Sequence, residues 1–394
     1  MKILIINEVL GWSSTGKIAG DLAKEYEAKG WKAKVAYGRS SYVPEEYRKY
    51  GVRIGNDIEV KINAIKARLF DNEGLNAKRA TKKFLQWAEK YNPDLVWLHN
   101  LHGYYINYEM LFTWIKSRPQ MEIKWTLHDC WAFTGHCTHF SFVNCSQWKS
   151  QKGCLKCPQI KQYPKSFLVD RCHQNYHKKK SSFSGVKDLT IITPSNWLGD
   201  IVKQSLLSEY KVEVVHNSIN LTIFKPTDSD FRERYKLQNK KIILCVANVW
   251  NERKGLTDAL KLGHILDSNS VMIIVGLTIP QIKQICEKCS DTVPEILGDT
   301  EKSSIFESSS NTRGKKIYLF SKTNSPRELA EIYTAADLLF NPTYEDTYPT
   351  VNLEAEACGT RVVTYDAGGA KETVHNKDSV VIPIGDFQAV LKYI

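Results

Sequence analysis

Asn341-Pro-Thr-Tyr-Glu-Asp-Thr-Tyr-Pro-Thr-Val-Asn-Leu-Glu-Ala-Glu-Ala-Cys-Gly-Thr-Arg-Val-Val-Thr-Tyr365 is the stretch from which the fold can be read. Asp337 to Asn341 is mostly apolar and suits a short buried strand. Pro342 to Pro349 breaks that pattern and reads as a loop. From Thr350, the residues Val351, Leu353, Glu354, Ala355 and Ala357 suit a helix, and Gly359 is placed to stop it. Arg361 to Tyr365 begins the next strand. Such a strand, loop, helix, strand unit directs backbone N–H groups and a helix N-terminus at whatever binds there, which makes an anion site. Two acids, Asp346 and Glu354, flank the loop with seven residues between them. A sugar nucleotide needs both kinds of anchor, carboxylates for its hydroxyls and N–H groups for its diphosphate. Taken alone, the acids also read as favourable charges near a helix start.

The pattern of an acid, seven residues, Glu-Ala, a small-residue turn and a Val-Val strand resembles the signature of glycosyltransferase family 4. The loop Glu345 to Pro349 is similar to that of bacterial colanic-acid and capsular-polysaccharide transferases, and the likeness runs through nearly the whole chain. It implies an α/β chain of GT-B fold, two doubly wound Rossmann-like domains facing across a cleft. It also implies a retaining transfer of a hexose from a UDP- or GDP-linked sugar to a hydroxyl of a glycan or lipid-diphosphate-linked glycan. The setting would be surface polysaccharide synthesis. Fixed cations and dipoles would stabilise the leaving diphosphate, so no catalytic metal is expected. The chain departs from the family at three places: Asp346 stands where Glu is usual, Tyr348-Pro349 where Phe-Gly is usual, and Val249 where an arginine is usual. A sugar-nucleotide epimerase or hydrolase of the same fold, or a non-catalytic binding subunit, are the alternatives.

At 394 residues the chain can bury two full α/β cores. With 42% hydrophobic and 25% charged residues it has an ordinary globular composition. No apolar run approaches the roughly 20 residues of a membrane span. Met1 to Ile6 is followed at once by Asn7 and Glu8, so it reads as a strand and not a signal peptide. The chain is therefore expected in the cytoplasm, where its ten cysteines stay reduced. Of the net charge of +11, +9 lies in Lys149 to Lys187, where ten Lys or Arg face the single acid Asp170. A charge run is usually a solvated face. With Phe167, Leu168 and Val169 inside it, this one points to peripheral contact with an anionic membrane, the inner face of the plasma membrane, with Lys178, Lys179 and Lys180 taking part. No nucleic-acid-binding motif is present.

We place an N-terminal, acceptor-side domain at 1–220 with a Cys-rich insertion at about 130–160, a linker at 221–240, and a nucleotide-sugar domain at 241–394 with a polar insertion at about 290–315. Ser13 to Gly16 reads as a loop after the first strand. The resemblance directs Ser14, Thr15 and Gly16 at the cleft. Val60 to Tyr91 reads as helical. Polar residues just past the carboxyl ends of parallel strands are where open sheets place ligands. That logic selects His99, His102 and Tyr104 as an acceptor side, and His128 with Asp129 after the next strand. The resemblance assigns His128 to the donor hexose. His99 and His102 equally suit hydrogen-bonded structural roles.

Cys137, Cys145, Cys154 and Cys157 suit a structural zinc site better than disulfides. The other reading is four buried thiols. Cys286 and Cys289 form a second Cys-x-x-Cys without nearby partners. Phe167 to Lys180 reads as a helix. Asp228-Ser229-Asp230 reads as a helix cap and not a metal motif. Arg253 and Lys254 precede a helix and suit a diphosphate. The resemblance matches Lys254 and Gly255 to a family Lys-Gly. Gly276 and Thr323 follow strands where the base would rest. Thr350 and Val351 supply N–H groups to the diphosphate, and Glu354 takes the ribose.

Overall fold

The computed structural model describes residues 1–40, 42–288, 295–296, 307–312 and 315–394. The chain divides into two units, Met1–His216 and Asn217–Ile394.

The first unit is a seven-stranded sheet of β1 (Lys2–Ile6), β2 (Lys32–Tyr37), β3 (Gly51–Arg53), β4 (Leu95–Leu98), β5 (Glu122–Thr126), β6 (Leu189–Thr193) and β7 (Lys211–Val214). Its order is β3-β2-β1-β4-β5-β6-β7, with every neighbour parallel. Side chains alternate across a strand. Ile3 and Ile5 therefore enter one core with Ala23, Val35 and Tyr47, while Leu4 and Ile6 enter another with Val96, Phe112 and Trp125. Both faces are covered, as an all-parallel sheet requires.

The second unit comprises β8 (Lys241–Val246), β9 (Ser270–Val275), β10 (Glu295–Ile296), β11 (Glu307–Thr312), β12 (Lys315–Phe320), β13 (Leu338–Asn341), β14 (Arg361–Tyr365) and β15 (Val380–Ile382). The order is β10-β11-β12-β9-β8-β13-β14-β15. Strands β12, β9, β8, β13, β14 and β15 pair in parallel, and β11 and β10 extend the β12 edge with antiparallel pairings. Again two cores form, with Ile243 and Cys245 on one face and Ile242 and Leu244 on the other. Both units are doubly wound and Rossmann-like. In each, strand order reverses at one point, between β1 and β4 and between β8 and β13, and ligands of open α/β sheets bind at that point.

Several local expectations change. Ser13 to Gly16 is not a loop: the helix Ser13–Ala28 begins there, with Gly16 buried in its first turn and its carbonyl accepting from Gly11 N–H at 2.9 Å. Val60 to Tyr91 is not one helix. Asp57–Phe70 is capped by Asn56, whose side chain accepts from Glu59 N–H, and it stops at Asp71 in the left-handed conformation; Lys78–Tyr91 follows. The helix expected from Phe167 begins only at Cys172, because Asp170 accepts the N–H groups of Cys157 and Cys172 and so holds the preceding turn out of helix. Asp230 precedes the short helix Phe231–Arg234 and pairs with Arg234. Of the polar insertion expected at about 290–315, all but the strands at 295–296, 307–312 and 315 lies outside the described residues, and so does Cys289.

Candidate active site

In the second unit, the loops after β8 and β13 flank the reversal point and carry most of the expected donor residues. Gly255 has φ +75°, and a Cβ there would fall 2.0 Å from the Pro342 carbonyl oxygen. Only glycine lets the two loops close this tightly. Tyr344 N–H donates to the Arg253 carbonyl at 2.8 Å, and the Arg253 guanidinium donates to the Glu345 carbonyl. Lys254 Nζ pairs with Asp346 Oδ2. Asp346 Oδ1 accepts from Tyr348 N–H at 3.2 Å, and its carbonyl accepts from Gly369 N–H at 2.9 Å. The Asp346 carboxylate is thus fixed from two sides. Burial pulls the Lys254 ammonium below the usual lysine range, and neighbouring Arg253 adds to this, against the opposing pull of Asp346.

The helix Thr350–Ala357 starts directly after this loop. Asn352 is fully buried; it accepts from Asn341 Nδ2 at 2.9 Å and donates to Thr373 Oγ1 at 2.8 Å. This ties the helix's first turn to β13. Glu354 Oε2 accepts from the Tyr333 hydroxyl at 3.0 Å. Tyr333 is fully buried, and burial together with the Glu354 charge holds its hydroxyl well above the ordinary tyrosine range, as a donor. Gly276 has φ +99°, and a Cβ would fall 1.7 Å from the Ala247 carbonyl oxygen, so glycine is required where the ends of β8 and β9 meet. Thr323 lies half-buried after β12. Asp258, 5% exposed, accepts from the hydroxyls of Tyr344 at 2.6 Å and Tyr365 at 2.8 Å, which anchors the loop from beneath.

In the first unit, His99 follows β4 and His128 follows β5. His99 Nδ1 and His128 Nε2 are 2.9 Å apart, and the rings stack with centroids 5.2 Å apart. Burial and the neighbouring ring depress His99 well below the ordinary histidine value, and burial pulls His128 down to about 4. Both rings are therefore neutral at physiological pH. His102 Nε2 donates to Asp129 Oδ2 at 2.9 Å, and its Nδ1 lies 3.0 Å from the Tyr163 hydroxyl. Burial would lower His102, but Asp129, Glu8 and Glu73 outweigh it and raise the ring. Asp129 has the converse balance: burial opposes, His102 prevails, and the carboxyl falls to about 2. Its Oδ1 accepts from Trp131 N–H at 2.9 Å. Asp129 thus orients His102.

Sequence reasoning missed the acids around this cluster. Glu73, 6% exposed, accepts from the N–H groups of Gly103 and Tyr104 at 2.7 and 2.9 Å, and so shapes the loop that carries His99 to Tyr104. Its Oε2 is buried without a hydrogen-bond partner, and burial raises its carboxyl. Glu8, directly after β1, pairs with Arg39 at 2.9 Å. End-of-strand logic would have found Glu8. Glu73 lies between two helices and carries no local signal.

The cysteine-rich segment holds only short 3-10 turns. Cys137, Cys154 and Cys157 are buried and Cys145 is half-buried. Cys137 and Cys157 share a hydrogen bond, and Gly135 N–H donates to Cys154 Sγ at 3.2 Å. Among the described residues, no three His, Cys, Asp or Glu side chains are arranged to hold a metal ion. Lys179 corrects a further expectation. It is 1% exposed, donates to the carbonyls of Trp131 and Thr134 at 2.6 and 3.0 Å, and lies 3.6 Å from the centre of the Trp131 ring. Burial brings its ammonium down to about 7. It cannot reach a membrane; it secures the segment that follows Asp129. No helix among the described residues is long and apolar enough to cross a membrane.

Residues 227–394 match the family model of glycosyl transferases group 1. A putative colanic acid biosynthesis glycosyl transferase of Escherichia coli is 30% identical over 135 residues, 33% of this chain and 32% of that protein. A D-inositol 3-phosphate glycosyltransferase of Streptomyces bingchenggensis is 24% identical over 204 residues, 51% of this chain and 43% of the relative. The chain thus spans about a third to under a half of these relatives. Among solved structures, the sucrose-phosphate synthase of Thermosynechococcus elongatus superposes with TM-score 0.65 at 15% identity, covering 100% of this chain and 88% of that one. An Anabaena protein in complex with UDP-glucose superposes with TM-score 0.60 at 14% identity and the same coverage.

Proposed function

From the premise that this chain belongs to the group 1 glycosyl transferases through its second unit and has the GT-B fold, we propose that it moves a hexose from a nucleoside-diphosphate sugar to an acceptor hydroxyl. The observation that carries this is the joining of Lys254 to Asp346 at the reversal point of the second unit, beside a helix start and a Glu354 held by Tyr333. In this reading Glu354 takes the ribose hydroxyls. Lys254, Arg253 and the N–H groups of Thr350 and Val351 hold the diphosphate. Asp346 positions the hexose, and the base lies beside Gly276 and Thr323. In the first unit, His128 and the helix start at Gly16 are the residues proposed to meet substrate. His99, His102, Tyr104 and Asp129 shape the acceptor side. The acceptor oxygen bonds to the anomeric carbon as the bond to the diphosphate breaks on the same face, with retention, and the acceptor's proton passes to the departing diphosphate oxygen. Fixed cations and N–H dipoles stabilise the departing charge.

The donor nucleotide is UDP or GDP; a neighbour of the same fold was solved with UDP-glucose, which supports a nucleotide-sugar donor. The acceptor is a glycan or a lipid-diphosphate-linked glycan of a bacterial surface polysaccharide, met at the inner face of the plasma membrane. Cys137, Cys145, Cys154 and Cys157 are proposed to draw together around one structural zinc from the arrangement described above, in which they do not form a metal site, and so to order a segment without regular structure. Elemental analysis checks that: one zinc per chain supports it, and a folded, zinc-free chain removes it. The test of the reaction is a sugar-nucleotide assay with and without acceptor. Acceptor-dependent release of the nucleotide supports a transferase. Release without acceptor indicates a hydrolase, and binding without turnover a non-catalytic subunit.

A further inference from the structure

The helix Asp57–Phe70 turns an apolar stripe away from the protein. Its buried residues are Asn63 and Ala67. Ile58, Ile62 and Ile65 are 70%, 46% and 56% exposed. At 3.6 residues per turn these three fall within an arc of about 60°, opposite the buried side. Lys61 and Arg68 flank the stripe on one side and Lys66 on the other, all exposed. A second apolar element lies against the end of this helix. Phe167 N–H donates to the Arg68 carbonyl at 2.7 Å. Phe167 and Leu168 are 60% and 70% exposed. Their turn is held from within by buried Ser166, whose hydroxyl donates to the Val169 carbonyl at 2.7 Å. Arg171 N–H donates to Asp71 at 2.7 Å, which ties the turn to the helix a second time.

We propose that this paired surface, the stripe Ile58, Ile62 and Ile65 with the turn Phe167 and Leu168, is the face that docks on an anionic lipid bilayer. An isolated exposed isoleucine needs no explanation, but an ordered apolar row with a basic border does. Interfacial helices have this form, with apolar residues entering the acyl boundary and flanking lysines meeting lipid phosphates. Charge favours a bilayer over a protein partner. Lys61, Lys66, Arg68, Lys161, Lys165 and Arg171 are exposed around the two apolar elements. The nearby acids are largely engaged: Asp57 pairs with Arg53, and Asp170 accepts two N–H groups. The inference rests on the membrane-facing reading of the acceptor, yet its test needs no turnover.

The full chain is sedimented with vesicles of phosphatidylcholine containing phosphatidylglycerol, and with phosphatidylcholine alone. The proposal expects binding to the first at low salt, weakening as salt rises, and little binding to the second. Ile62→Ser with Ile65→Ser, and separately Leu168→Ser, should each reduce binding by about tenfold or more. These side chains are exposed, so melting temperature and donor binding should not change. Unaltered vesicle binding by both variants overturns the proposal, as does a wild-type chain that ignores anionic vesicles at low salt. Loss of a wild-type dimer in the variants, seen by light scattering, assigns the surface to a protein contact and also overturns it. A chain that binds vesicles but turns over no sugar nucleotide leaves this surface standing and removes the transferase reading.

Discussion

The two units use the same architecture and place polar residues at the same topological position, but they build their sites differently. In the second unit the residues belong to two neighbouring loops and one helix: Lys254 meets Asp346, and Glu354 stands one helical turn beyond. In the first, the cluster is gathered from separate segments: Glu8, Arg39, Glu73, His99, His102, His128, Asp129 and Tyr163. On the proposed function, the second suits a constant ligand recognised by fixed charge, a diphosphate, and the first is a layered hydrogen-bond network whose loops would vary with the acceptor.

The largest effect separating the units is expected at Glu73. Glu73→Ala leaves two buried N–H groups unsatisfied and should cost about 3 kcal/mol of stability, read by urea unfolding. It should leave donor affinity unchanged in the folded fraction. Weakened donor binding would mean that Glu73 also shapes the donor site. Acid should sharpen the contrast next. The folded value of His128, about 4, lies below the ordinary value near 6.5. Between those values the unfolded chain binds more protons, so stability falls as pH falls. His102 is raised and acts oppositely, its contribution fading as pH rises through its folded value. Between pH 7 and 5 the wild type should lose on the order of 1 kcal/mol more than His128→Asn. Equal losses would show that His128 is not held neutral. The smallest effect lies in the second unit. Tyr333→Phe removes one hydrogen bond to Glu354, about 1 kcal/mol, and should weaken donor binding about fivefold without altering acid sensitivity.

The same contrast explains what the sequence reveals. The strand, loop and helix around Asp346 and Glu354 are contiguous, so strand period, helix period and glycine placement read directly. Lys254 follows from the same strand-to-helix grammar. Glu73 does not, because its partners Gly103 and Tyr104 are distant in sequence and its role exists only once β4 is in place. Periodicity finds the helix containing Ile62 and Ile65 but not which face is buried; Asn63 and Ala67 take the inner side because Asn63 donates to the Tyr104 carbonyl at 3.1 Å. A run of three lysines reads as a solvated face, and only the position of Trp131 shows that Lys179 turns inward.

In the proposed function the second unit holds a nucleoside-diphosphate sugar through Lys254 and Glu354. Calorimetric titration of UDP- and GDP-sugars into the wild type, Lys254→Ala and Glu354→Ala tests it most directly. Saturable binding to the wild type is expected, with a loss of about 1.5–3 kcal/mol in each variant; both variants should unfold cooperatively, each at a somewhat lower melting temperature because Asp346 or Tyr333 loses its partner. Wild-type affinity in both folded variants would contradict it.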